Sequence, residues 1–223
     1  MILYILVILI ILILVKNVRR KSRIDDTCFI QHNVLTRSEC NEIINVAKKY
    51  KLNTIPENVD GNPEYQIDIL DEGIRNEELW KICKKIYIEK LKPILNGEKW
   101  LKMRNNKLDY IFLKKYSPTE RSHIPLHLDD NHLTMSFLLS DTRNFKGGEL
   151  YIFDINESNK LTMIDKMTDL GIKKREEFIN NHKKLPIVSY NQGDVSVYTG
   201  GIHAHGTLPV TSGERYILTF FFF

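Results

Sequence analysis

The hydrophobic pattern divides the chain into three stretches. The first has no period at all. Met1 to Val15 carries no charge, and Lys16, Arg19, Arg20, Lys21 and Arg23 follow it. As a helix this run would span roughly 22 Å, short of a hydrocarbon core of about 30 Å. It has no polar face to set against water, so it does not read as a helix packed on a globular core. A secretory signal would open on basic residues and close on a small-residue cleavage site, and neither is present. The pattern predicts an uncleaved N-terminal hydrophobic anchor with a basic flank over residues 1–23, followed by one domain over 24–223. The basic residues all lie after the run, which keeps the body on the cytoplasmic side of a membrane. The sequon Asn156-Glu157-Ser158 leaves a luminal placement open.

The second stretch, residues 33–100, has helical spacing. Thr36 can cap a helix and Glu39, three residues on, can close a capping box. Cys40, Ile43, Ile44 and Ala47 then follow at helical intervals, and Leu35 before the cap can staple onto Cys40. Residues 53–63 read as a loop, and Tyr65 to Leu70 alternates like a strand. Glu77 to Leu91 predicts a second amphipathic helix, with Leu79, Ile82, Cys83, Ile86 and Leu91 near one face and Pro93 helping to end it. Trp80 reads as core.

The third stretch, residues 108–223, is rich in β signals. Strands are predicted at Leu108–Tyr116, Thr134–Leu139, Glu149–Phe153, Val195–Tyr198 and Tyr216–Phe223, with a turn at Gly147-Gly148. Many short strands with turn signals argue for a sandwich or jelly roll, buttressed on one face by the helices before it. Residues 154–185 interrupt the rhythm. They are polar, and Met163, Ile164, Met167 and Leu170 have helical spacing. This is an insertion between two strands, either a surface excursion or a substrate-side lid.

Composition adds little to this α+β, mainly β picture. With 223 residues, 43% hydrophobic and 27% charged, the chain can bury a sizeable core. A net charge of +4 is too mild to argue for nucleic acid. Cys28, Cys40 and Cys83 are odd in number and widely spaced, which fits free thiols.

Candidate chemistry lies in the third stretch. In His127-Leu128-Asp129, placed on a strand, the two polar side chains share one face. Two histidines and one carboxylate on one face of a metal leave three positions open, the ligand set of non-haem Fe(II) oxygenases. The second histidine is expected from the terminal stretch. His205 is preferred there, with His203 a competitor because alternate residues share a face. Arg215 lies ten residues beyond His205.

The ordered set goes further than its parts. His127-x-Asp129, GGELYIF, a Gly-Asp before a strand, and His205-Gly-x-x-Pro-Val-x-x-Gly-x-Arg215-Tyr resembles the 2-oxoglutarate/Fe(II) dioxygenases. Within them it is most similar to the prolyl 4-hydroxylase and procollagen lysyl hydroxylase group. The resemblance covers roughly residue 33 to the end, and EYQIDILDEGIRNEELW is similar to the region upstream of the triad in lysyl hydroxylases. It implies a double-stranded β-helix, a distorted jelly roll with iron at one open end. It implies that His127, Asp129 and His205 bind Fe(II), and it favours His205 over His203 by the Pro-Val and Arg spacing. His123 and His132 are then not ligands. It implies that Arg215 pairs with the far carboxylate of 2-oxoglutarate and that Tyr116 lies near that cosubstrate, with Lys114 and Thr134 as lesser candidates. Dioxygen, L-ascorbate and a peptidyl proline or lysine substrate complete the implied reaction. Nucleic-acid demethylation uses the same triad in other branches, but would call for a basic groove with stacking aromatics, which is not visible outside the anchor flank. A membrane-tethered, non-catalytic binding protein on the same fold would have no need of all four residues.

Overall fold

The computed structural model describes residues 20–102, 106–161 and 169–223. The anchor run and Met163, Ile164 and Met167 lie outside the described residues. Among the described residues, no helix is long and apolar enough to cross a membrane.

The chain opens on a hairpin, β1 (Lys21–Asp25) and β2 (Cys28–Gln31). Part of the basic flank expected of the anchor is therefore sheet: Lys21 and Arg23 stand on β1 and pair with Glu98. Helix α1 (Arg37–Ala47) starts where the sequence says it should. The Thr36 hydroxyl accepts from Glu39 N–H while the Glu39 carboxylate accepts from Thr36 N–H, a complete capping box. After β3 (Gln66–Asp71) and β4 (Ile74–Arg75) comes α2 (Glu77–Ile86), capped by Asn76.

The expected end of this helix is not at Pro93. A π turn, Tyr87–Leu91, carries the chain on into α3 (Lys92–Gly97), where Pro93 occupies the first turn. Lys92 N–H still donates to the Tyr87 carbonyl within the π turn, and Pro93, which has no N–H to give, comes directly after it. A short α4 (Lys99–Lys102) follows.

The back half supplies β5 (Leu108–Tyr116), β6 (Leu133–Leu138), β7 (Phe145–Gly147) and β8 (Leu150–Ile152). Then come α5 (Ile155–Ser158), α6 (Asp169–Asn181), β9 (Val195–Tyr198), β10 (His205–Thr207), β11 (Val210–Gly213) and β12 (Arg215–Phe222). Eight strands form the major sheet in the order β1-β2-β9-β6-β12-β5-β3-β4. The pairs β8–β10 and β7–β11 form the second layer, and every pairing is antiparallel.

Side-chain alternation on the major sheet sorts core from cavity. On β12, Leu218, Phe220 and Phe222 join the core under the helices, while Arg215, Ile217, Thr219 and Phe221 line a cavity between the layers. On β5, Ile111 and Leu113 face the core; Phe112, Lys114 and Tyr116 face the cavity. Phe220, Phe221 and Phe222 thus point alternately to core and cavity, which is why the run shows no polar alternation, while Phe223 beyond the strand is exposed. Trp80 packs against the helical core. Phe178 and Ile179, from the insertion, pack on Leu126, Tyr151 and Phe153. By alternation on β8 and β10 that is the face away from His205.

Candidate metal and anion site

Backbone pairing builds the site. His127 and His205 form an isolated antiparallel bridge in which each N–H donates to the other's carbonyl, at 2.9 and 3.0 Å. Such a pair brings side chains close, and the imidazole centroids lie 4.2 Å apart. The expectation that His127-Leu128-Asp129 runs as a strand is not met. Only the bridge at His127 is β structure, and the chain leaves the strand before Asp129. The two side chains meet although only His127 lies in β structure. Asp130 is exposed, away from the cluster.

Both histidines are fixed in one tautomer. His127 Nδ1 donates to the Pro125 carbonyl at 2.8 Å and His205 Nδ1 to the His203 carbonyl at 3.0 Å. Each therefore offers Nε2, and these nitrogens lie 3.3 and 3.6 Å from Asp129 Oδ1. Among the described residues this is the one group of three side chains whose ligand atoms all fall within 4.8 Å of one another. All three are buried. Burial pushes His205 down to about 4, partly opposed by the Asp129 carboxylate, so the imidazole is neutral at pH 7. Burial also works against an ionised Asp129, but His205, His127 and the Thr134 hydroxyl more than offset it and hold the carboxyl below its usual range. Two imidazoles and one carboxylate fit Fe(II) by donor type.

His203 is not in the cluster. It is wholly buried, with Nε2 bound to Asp25 at 2.9 Å, so it ties β1 to the back half of the chain. His123 and His132 also stand outside.

Arg215 and Tyr116 line the same cavity as the triad. Arg215 is 2% exposed, and among the described residues its Nη1 has no hydrogen-bond partner. Burial lowers its affinity for the proton. An unpaired buried donor costs about 1–3 kcal/mol, more when charged. An anion in the cavity would remove that cost. Gly148 explains the second glycine of GGEL: a Cβ there would come 2.8 Å from Arg215 Cδ, at a backbone φ of +70° that disfavours side chains in any case.

Lys114 also lines the cavity but is committed. Its ammonium pairs with Glu57 and, at 2.8 Å, with Glu64. Burial, together with Glu57, pushes Glu64 up to about 7. The cavity thus holds two cations, one neutralised and one not. Sequence reading missed Tyr198, whose hydroxyl lies 2.9 Å from His205 Nε2, and Asn131, which is buried beside Thr134. Tyr198 could have been found as the cavity-facing alternate of the predicted strand at 195–198. Asn131 sits in a loop and carries no periodic signal.

No protein-family model matches the chain, and no curated protein sequence does either. Its fold, however, is that of the 2-oxoglutarate/Fe(II) oxygenases, prolyl 4-hydroxylases among them. A Pseudomonas putida prolyl-4-hydroxylase superposes with a TM-score of 0.53 at 17% identity, covering 92% of this chain and 92% of that one. A viral collagen prolyl hydroxylase of Paramecium Bursaria Chlorella virus-1, in complex with 2-oxoglutarate, gives 0.52 at 17%, covering 86% and 93%. An oxidoreductase of the 2OG-Fe(II) oxygenase family from Burkholderia pseudomallei gives 0.58 at 14%, covering 85% and 80%. At such identities the likeness is one of fold.

Proposed function

We propose that this chain is an Fe(II)- and 2-oxoglutarate-dependent dioxygenase acting on peptidyl proline or lysine. The observation that carries the reading is the unpartnered, buried Arg215 guanidinium in the same cavity as His127, Asp129 and His205. A metal triad alone fits many chemistries; a triad plus a buried guanidinium with an unpartnered Nη1 calls for a metal and an anion together. Bound there, Fe(II) with 2-oxoglutarate would supply oxidative decarboxylation to succinate and an oxidant able to hydroxylate an unactivated C–H bond.

The chain's own residues do the rest. His127, Asp129 and His205 would hold the metal, a ligand set that keeps positions for further ligands. Arg215 takes the far carboxylate through its planar fork, backed by the Tyr116 ring. Cavity walls from Ile124, Leu150 and Ile217 limit water access. L-ascorbate would serve to keep the iron reduced. The peptide substrate rests on the prolyl hydroxylases among the fold neighbours and on the lysyl hydroxylase-like stretch upstream of the triad.

The test is incubation of the purified chain with Fe(II), 2-oxoglutarate, ascorbate and proline- or lysine-containing peptides. Succinate and a product heavier by one oxygen atom are expected. Absence of succinate under every metal condition removes the dioxygenase reading. Succinate without oxygenated peptide removes only the substrate.

A further inference from the structure

Asp129 has two oxygens, and the structure treats them differently. Oδ1 faces the two histidine nitrogens. Oδ2 accepts a 2.6 Å hydrogen bond from the Thr134 hydroxyl. Thr134 is 1% exposed at the start of β6. A hydroxyl has one proton to give, and two acceptors lie within reach: Asp129 Oδ2 and, at 3.2 Å, Asn131 Oδ1. The shorter contact is to the charged oxygen, which makes the stronger bond.

Asn131 settles the direction. Its Nδ2 donates to Thr134 Oγ1 at 3.0 Å and to the Leu133 carbonyl at 3.0 Å. With a lone pair of Thr134 taken by that amide, the hydroxyl proton is left for Asp129. The amide itself is held by close packing. A Cβ on Gly200 would stand 1.7 Å from Asn131 Oδ1, so only glycine leaves room for it. The relay thus runs from Gly200 through Asn131 and Thr134 to the carboxylate.

We infer that Thr134, oriented by Asn131, is a positioning residue that reserves Asp129 Oδ2 and makes Asp129 a one-oxygen metal ligand. This rests on the metal-centre reading above. A carboxylate free to turn would chelate with both oxygens and take a position that the cosubstrate needs. Thr134 prevents this by giving Oδ2 a better partner. It also anchors the ligand loop to β6, so that the loop's conformation and the metal geometry are fixed by one contact.

The test uses the full chain and Co(II), whose visible absorption reports coordination number without turnover. Parent, Thr134→Val, Thr134→Ser and Asn131→Ala are titrated with Co(II). Loss of such an outer partner typically costs 10- to 100-fold in metal affinity, which is the fall expected for Thr134→Val. Its Co(II) spectrum should shift toward higher coordination number, while Thr134→Ser should keep both the parent affinity and the parent spectrum. Asn131→Ala leaves the hydroxyl but not its orientation, and should weaken Co(II) binding less than Thr134→Val. If circular dichroism finds Thr134→Val unfolded, Asn131→Ala and Thr134→Ser decide the matter. Parent-like affinity and spectrum in Thr134→Val overturn the inference and leave the metal centre standing, as does a Thr134→Ser variant as impaired as Thr134→Val. With Thr134→Val unfolded, parent-like binding by Asn131→Ala does the same. A parent that takes up no Co(II) overturns the metal centre and the inference with it.

Discussion

Arg215 and Tyr116 stand opposite each other across the β12–β5 pair, with the guanidinium carbon 5.5 Å from the ring centroid. Both are buried, and the arginine's long stem is walled by Gly148. The aromatic face supports the cation without satisfying its N–H groups. This is the arrangement on which the proposed anion subsite rests.

Arg215→Ala should leave Fe(II) affinity nearly unchanged, since the residue is not among the ligand atoms. It should weaken 2-oxoglutarate by about 2–5 kcal/mol, the usual range for breaking a buried charged pair from one side. That is roughly 30-fold to several thousand-fold in Kd. Arg215→Lys should fall between, because it keeps charge and loses the fork. Titration of 2-oxoglutarate into the Fe(II)-loaded variants, followed by the metal-to-ligand absorbance band, measures this. Unchanged binding in Arg215→Ala would remove 2-oxoglutarate from this subsite.

His127→Ala and Asp129→Ala should abolish metal binding and succinate formation while the circular dichroism spectrum persists. His203→Ala should behave differently. It should retain metal, because His203 binds Asp25 rather than the cluster, and should lower Tm, because Asp25 Oδ2 loses its bond to His203 and keeps only that from Ile155 N–H, at an expected cost of about 1–3 kcal/mol. Loss of metal in His203→Ala with retention in His205→Ala would reverse the assignment of the distal ligand.

Lys114→Met leaves the half-buried Glu57 and the buried Glu64 without their cation, with protonation of Glu64 limiting the cost. Breaking a buried ionic cluster in this way typically costs about 3–5 kcal/mol. Adding Glu57→Gln and Glu64→Gln should recover most of the loss, since no charge then remains buried. Urea unfolding of the three chains tests both halves. A Lys114→Met midpoint equal to the parent's would mean that water already reaches the carboxylates.

The uncharged run Met1 to Val15 and the basic residues after it motivate a membrane prediction. The full chain should sediment with membranes and resist carbonate extraction. A chain beginning at Arg20, which keeps β1 intact, should be recovered in the supernatant with succinate-forming activity. Uncleaved full-length chain in the soluble fraction would contradict the anchor.

Local signals were legible where local physics decides. The α1 capping box needs only Thr36 and Glu39 at the right spacing, and it formed as read. The strand at Leu108–Tyr116 was read to the residue, and those at 133–138, 195–198 and 215–222 to within one residue at either end, because apolar runs bounded by turn residues have few other uses. The order His127, Asp129, His205, Arg215 was also visible, since motif spacing survives without knowledge of the pairing.

Tertiary contacts decided the rest. Whether Pro93 ends a helix or opens the next depends on a π turn packed against the sheet, and proline is compatible with both. The hairpin β1–β2 exists because β2 finds β9 across most of the sequence, and four- and five-residue strands have too little pattern to announce themselves. The choice between Lys114 and Arg215 could not be made from charge alone. Motif spacing already favours Arg215, and packing adds the physical reason: Glu57 and Glu64 come to rest on the lysine, whereas among the described residues Arg215 Nη1 has no hydrogen-bond partner. The chain fixes which ionisable groups are available, but only long-range packing fixes which of them meet, because a buried charge takes its character from its neighbours.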